Sequence, residues 1–259
     1  MANIPQAHDL RFQVIPGIPL ITSADPLSAI VWNAIHTAGI ELSDGDILVV
    51  AQKIVSKAEG RLIPLNTVVP SQAAKNLAVE TDKDPALCQL ILDESAVVMR
   101  KKPGVLIVRH RLGHVGANAG IDQSNIEHEG GDSALLLPVD PDQSAQNLRS
   151  EIGELSGRRI GVIVCDSMNR PWRLGSIGCA IGCAGVQILD DRRGGEDMYG
   201  RDLKVTLVNR ADSLAATATL MMGETTERTP VVLIHGLPPV DSDEKTADMM
   251  RPLEDDLFA

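Results

Sequence analysis

Aromatic side chains are nearly missing from this chain. Phe12, Trp32, Trp172, Tyr199 and Phe258 are the only ones in 259 residues. A flat ring bound here would find few stacking partners and would lean on aliphatic and backbone contacts. Basic charge is also scarce: 24 Lys and Arg against 35 Asp and Glu leave a formal net charge of −11. That balance argues against broad nucleic-acid binding, because a phosphate-backbone binder needs a basic face. Any phosphate contacts are therefore expected to be local. No stretch of about 18 uncharged apolar residues occurs, and the first residues lack a basic segment leading into an apolar one. Neither a membrane span nor a secretion signal is expected, which makes the cytoplasm the expected location. Cys88, Cys165, Cys179 and Cys183 form no CxxC pair. They read as reduced, packed thiols, not as a disulfide framework or a structural zinc site.

What is present is enough apolar material, 44% of the chain, for one large domain or two interlocked small ones. The β-branched runs Asp46 to Ala51, Val105 to His110, Ile160 to Cys165, Leu203 to Asn209 and Val231 to His235 predict buried strands. Helical spacing, often opened by Asp, Ser or Pro, predicts helices over Pro26 to Ala38, Ser71 to Asp82, Pro85 to Ser95, Gln143 to Ser156 and Asp212 to Met222. The alternation, without a linker or repeat, predicts an α+β fold: mixed sheets with packed helices in two interleaved lobes. Residues 1–240 are read as one catalytic domain. Residues 241–259 are read as an acidic tail, with Asp241 to Asp256 a solvated terminus.

Chemistry concentrates in a few segments. The strand Ile160 to Cys165 runs directly into Asp166-Ser167, then Asn169, Arg170 and Arg173. Open sheets place ligands at the carboxyl ends of their strands. There Asp166 offers a carboxylate and Ser167 a hydroxyl to Mg²⁺ or Mn²⁺, while Arg170 and Arg173 offer charge to phosphate oxygens. A bland reading, Asp166 as a turn cap beside solvated arginines, stays open. In Asn118-Ala119-Gly120-Ile121-Asp122-Gln123-Ser124-Asn125, Asp122 and Asn125 stand three apart, a spacing that suits one metal or phosphate and equally an Asx turn. Glu224, in the turn after Met222-Gly223, is either a third metal ligand or an exposed carboxylate. Asp122, Asp166 and Glu224 together would be hard oxygen donors fitting Mg²⁺ or Mn²⁺ better than zinc. The glycine-dense run Gly175 to Gly185 is not a dinucleotide fingerprint. It reads as a site of close packing, within the chain or between chains, or of backbone approach to a ligand. The charged loop Asp190 to Arg201 is either functional or merely solvent-facing.

These blocks, with Gly17-Ile18-Pro19-Leu20-Ile21, Val55-Ser56-Lys57-Ala58-Glu59-Gly60, Leu136-Leu137-Pro138, Asp140-Pro141-Asp142 and Tyr199-Gly200-Arg201, occur in an order that resembles the coenzyme F420-0:L-glutamate ligase (gamma-glutamyl ligase) family from about Ile15 to Gly236. The resemblance implies GTP as co-substrate and activation of the precursor's lactyl carboxylate as an acyl phosphate. The amine of L-glutamate then attacks, and further gamma-linked glutamates follow. It also implies Mg²⁺ or Mn²⁺, two per subunit, K⁺ as a further ion, and an intertwined homodimer. By the same resemblance Ile18, Pro19, Leu20, Ile21, Gln52, Lys53, Lys57, Asn125 and Met222, Gly223, Glu224, Thr225, Thr226, Glu227, Arg228 and Thr229 are nucleotide contacts. Asp122, Asp166, Ser167 and Glu224 are metal ligands, and Asp166, Lys57 and Arg170 carry the catalysis. The chain departs from the family in having Ser167 where Thr is common, Asn169 where Gly is common, and Gln52-Lys53 in place of small hydroxyl residues. A reductase-like domain fused to some relatives is not expected here. Rival readings keep the site but change the carboxylate acceptor, or keep ligand binding without turnover.

Overall fold

The computed structural model describes residues 9–128, 130–169, 172–240 and 242–257. In chain order these form β1 (Arg11–Val14), α1 (Leu27–Thr37), β2 (Ile47–Ala51), α2 (Gln52–Ala58), β3 (Leu62–Pro64), α3 (Gln72–Thr81), α4 (Pro85–Glu94), β4 (Ser95–Lys102), β5 (Val105–His110) and β6 (Val115–Ala117). They continue with β7 (Ser133–Leu135), α5 (Pro141–Ser156), β8 (Gly161–Asn169), β9 (Ser176–Ala184), β10 (Leu189–Asp191), β11 (Leu207–Asn209), α6 (Arg210–Met222) and β12 (Val231–His235). The class is mixed α and β, as the sequence predicts.

The body is a five-stranded sheet in the order β1-β12-β2-β8-β9. Its β2–β8 pair is parallel and the other neighbours are antiparallel. Strands β2, β8 and β12 are apolar along nearly their whole length because both faces are covered. On one face Leu48, Val50, Val162, Val164 and Leu233 pack with α1 and α5. On the other, Ile47, Val49, Ile163, Val232 and Ile234 pack with α6. A separate core joins α3, α4, β5 and β7 through Leu77, Leu87, Ile91, Leu106, Val108 and Ala134. Its chain is inserted between α2 and α5, inside the crossover that joins parallel β2 to β8.

Local signals explain the helix ends. Ser71 accepts from the Ala74 amide to cap α3, and Asp82 ends it in the left-handed conformation at φ 52. Asp84 caps α4 ahead of Pro85. Asp140 caps α5 ahead of Pro141, so this helix begins two residues before the periodicity suggests.

Two expectations are corrected, and the close packing read for the glycine-dense run is found within the chain. The strand predicted over Leu203 to Asn209 shrinks to Leu207–Asn209, because Leu203 instead exchanges backbone hydrogen bonds with Gly194 and Gly195 in the hairpin turn. The glycine-dense run is strand β9. Gly178 lies against Thr219 and Ala215 of α6, and Gly182 against Pro141 of α5, so a side chain at either would strike backbone. The tail is not a solvated end: Thr246 is buried against the Asp142 carboxylate, Glu244 accepts from the Ile188 amide, and Asp256 pairs with Arg109.

Candidate active site

The site grows from the parallel pair at the centre of the sheet. The ladder between β2 and β8 ends at Ala51 opposite Cys165. The next residues, Gln52 and Asp166, therefore emerge side by side at the carboxyl ends of two buried strands, where open sheets present ligands. From there β8 stays paired only to β9, after a register shift between Val164 and Cys165. One Asp166 oxygen accepts the Ser167 amide at 2.8 Å. The Ser167 hydroxyl donates to Glu224 at 2.8 Å, which joins the end of β8 to the loop after α6.

Asp122 arrives from the inserted core. It follows a turn in which Asn118, Ala119 and Gly120 all hold positive φ, at 53°, 57° and 68°. That conformation is costly for the first two and is held by surrounding structure. Gly120 presses on Leu137, and Asp122 exchanges backbone hydrogen bonds with Leu135. Its carboxylate meets the first lobe directly: Gln52 Nε2 donates to it at 2.8 Å and Lys53 pairs with it at 3.2 Å. Gln52 is itself buried and fixed, since its Oε1 accepts from Ser56 at 2.8 Å.

These groups edge a cavity of about 580 Å³. The structure brings to its lining Ile18 to Ile21, Gln52, Lys53, Lys57, Asn125 and every residue from Met222 to Thr229, together with Asp166 and Ser167. Asp122 stands behind Gln52 and Lys53 and does not line it. Lys57 Nζ donates to the Asn125 carbonyl at 2.8 Å, tying α2 to the Asp122 segment. The 223–229 loop is shaped by Thr225 bonding Glu227 and by Thr229 bonding the Met222 carbonyl at 2.7 Å. Arg170 lies outside the described residues. Sequence reasoning passed over Thr22, Ser23 and Glu127, which also line the cavity. Only their adjacence to the Ile18 to Ile21 and Asn125 segments signalled them.

Charge is distributed unevenly here. Burial first, then the neighbouring Asp122, pushes the Asp166 carboxyl up to about 7. Burial likewise raises Asp122, against the pull of Lys53. Burial lowers Lys57, and nearby Glu127 opposes that shift. Two crowded carboxylates of this kind favour a cation between or beside them. All the donors are oxygen, from Asp122, Asp166, Ser167 and Glu224, which fits Mg²⁺ or Mn²⁺ in kind. Among the described residues no three His, Cys, Asp or Glu side chains are already gathered as a metal cluster. None of the four cysteines forms a disulfide, and burial raises the thiol of Cys165, at the cavity wall, to about 12.

A buried carboxylate at the end of a parallel strand, a second one brought near it from the inserted core, and lysines at an open cavity are the equipment of an enzyme that handles an anionic ligand. The comparisons with known proteins narrow that class. The F420-0:Gamma-glutamyl ligase family model matches residues 17–236. The chain is 42% identical to the coenzyme F420:L-glutamate ligase of Methanothermobacter thermautotrophicus over 246 residues, 94% of this chain and 96% of that one. It is 43% identical to the enzyme of the same name from Methanocaldococcus jannaschii, covering 84% of this chain and 86% of that one. With the one from Methanopyrus kandleri it shares 41% identity over 96% of this chain and 97% of the relative. The chain belongs to the F420-0:gamma-glutamyl ligase family.

Proposed function

We propose that this protein is a GTP-dependent ligase that joins L-glutamate to coenzyme F420-0 through an acyl phosphate, then adds further gamma-linked glutamates. One observation carries the reading: a single cavity gathers Ile18 to Ile21, Lys57, Asn125 and Met222 to Thr229 against the Asp166–Ser167 wall. Its volume, about 580 Å³, suits a nucleotide.

The chemistry needs charge neutralisation and in-line placement more than a protein nucleophile. The precursor's carboxylate oxygen attacks the γ-phosphorus of GTP, the bond to the β–γ bridging oxygen breaks, and GDP leaves. The glutamate amine then attacks the carbonyl carbon, the C–O bond breaks, phosphate departs, and the amine's proton is released to solvent. Lys57 and Lys53 counter the charge of the phosphates, and Ser167 and the 223–229 loop orient them. Asp122, Asp166, Ser167 and Glu224 would hold Mg²⁺ or Mn²⁺, which supplies further neutralisation of phosphate oxygens. The family resemblance sets the number at two per subunit and adds K⁺. Arg170 is assigned to the same phosphates from its place after Asp166-Ser167 in the sequence.

The same reading includes an intertwined homodimer with interleaved lobes and a cytoplasmic location. Support for the dimer comes from exposed apolar residues around the β9 start and the β10–β11 hairpin, notably Trp172, Leu174, Met198, Tyr199 and Val205. No helix among the described residues is long and apolar enough to cross a membrane.

The test is incubation with coenzyme F420-0, L-glutamate, Mn²⁺ and either GTP or ATP. Products heavier by one or more glutamyl units, formed with GTP, are expected. Unchanged F420-0 with folded, metal-supplied protein rejects the reading, and a panel of pterin acids run alongside identifies any other acceptor.

A further inference from the structure

Asp166 and Ser167 also line a second, smaller cavity of about 50 Å³, and among the described residues they are the ones it shares with the large cavity. Its remaining walls come from the inserted core, through His114, Gly116, Ala117 and Ala119, and from Asn169 at the end of β8. Gly116 shows that the space is open, since a Cβ added there meets nothing within 4 Å.

A polar group here wants a donor. His114 is only 8% exposed and its Nε2 has no partner. Burial together with nearby His110 pushes its pKa down to about 4, against a hydrogen bond between the ring and the Ile181 backbone. The ring is therefore neutral, and the unpartnered Nε2 carries a lone pair. The neighbouring Asn118 Oδ1 is also buried and without a partner among the described residues, but Asn118 does not line the cavity. The unpaired His114 nitrogen is an acceptor, so the ligand that completes it brings an N–H group. A space of about 50 Å³ admits an amine head but not a base or a ring.

We infer that this cavity is the subsite for the amine of the incoming amino acid, with His114 Nε2 as its acceptor. The inference rests on the ligase reading, in which the amine must reach the activated carboxyl without crossing the nucleotide. A cavity touching the nucleotide site only at Asp166 and Ser167 provides that separate approach. The carboxylates of the amino acid remain outside it.

The experiment first measures ligation by the wild-type protein with GTP, coenzyme F420-0 and L-glutamate; no ligation there rejects the ligase reading itself. With that activity in hand, KM for L-glutamate and for GTP are compared in wild type, His114→Leu and His114→Gln. His114→Leu is expected to raise KM for L-glutamate tenfold or more while KM for GTP moves less than twofold. His114→Gln, which keeps an acceptor, is expected to stay within threefold of wild type on both. An unchanged KM for L-glutamate in His114→Leu, or an equal rise in both constants, overturns the inference and leaves the cavity a water site. Should His114→Leu fail to fold, Gly116→Val fills the same space from a β-strand. It must then raise KM for L-glutamate selectively, and an unchanged value overturns the inference equally.

Discussion

On one side of the Asp166–Ser167 wall the chain leaves about 580 Å³ open between the 18–21 segment, α2 and the 223–229 loop, whereas the cavity it closes with the inserted core holds about 50 Å³. The large cavity is lined by charged and loop residues whose polar atoms already bond one another, as Lys57 does with Asn125 and Thr225 with Glu227. The small one is lined by His114, whose Nε2 has no partner among the described residues. A site made of mutually satisfied groups exchanges those bonds for a ligand's, while unsatisfied buried groups are specific for one kind of partner. The large cavity therefore suits a bulky, flexible anion, and the small one a compact donor.

Substitutions that touch one cavity, both or neither test this difference. Asp166 borders both, so Asp166→Asn is expected to reduce ligation by roughly 10³-fold or more, with the melting temperature kept within a few degrees. Steady-state kinetics and thermal unfolding measure the two effects. Lys57 borders only the large cavity. Lys57→Met is expected to lower kcat/KM for GTP about 10- to 100-fold and to leave KM for L-glutamate nearly unchanged. Gln52 holds Asp122 and is held by Ser56. Gln52→Leu is expected to weaken Mn²⁺ binding about tenfold, read by titration of the protein without nucleotide.

Two further changes concern residues that line neither cavity but touch one that does, Gly178 through Thr219 and Glu94 through His110. Gly178→Val forces a side chain into Thr219 and the Ala215 carbonyl, so it should cost about 1–3 kcal/mol of stability by overpacking. Denaturant unfolding measures that cost. The smallest effect concerns Glu94. Burial pushes its carboxyl up, but hydrogen bonds from His110 and Arg111 and the charges of Arg61 and Arg111 hold it down, from 4.5 to about 2. A depressed carboxylate stabilises the fold above its unfolded pKa and loses that contribution as pH falls through its folded one. The stability gap between wild type and Glu94→Gln is therefore expected to narrow from pH 4.5 toward about 2. Denaturant midpoints measured across that range give the gap, and a constant difference contradicts the network.

The fold was readable where local chemistry and tertiary burial agree. Strands β2, β5, β8 and β12 are apolar runs, and α3, α4 and α5 start at Ser71, Asp84 and Asp140, residues that cap. Where tertiary contact decides, the sequence misleads. The glycines in β9 signal close packing but not a strand; Gly178 and Gly182 are small because helices α6 and α5 lie on it. Helix α2 is a short continuation of an apolar strand, with no side-chain cap to announce it. The acidic tail resembles a solvated end until Asp142, Ile188 and Arg109 are placed beside it.

The site divides in the same way. Asp166 was legible from a strand ending in an acid. The grouping of Ile18, Lys57, Asn125 and Glu224 needed family resemblance, because they are far apart in the chain. His114 carried no local signal at all. Its distinction is an unpaired nitrogen, which exists only once Ile181 and the inserted core have packed around it.

The central claim is that the nucleotide side of the Asp166–Ser167 wall activates a carboxylate by phosphorylation. Coenzyme F420-0 labelled with ¹⁸O in its lactyl carboxylate tests it most directly, with mass analysis of the phosphate after turnover with GTP and L-glutamate. The account predicts one labelled oxygen in inorganic phosphate and one retained in the product amide. Label in a nucleoside monophosphate, or ligation with no label in any phosphate, would contradict it.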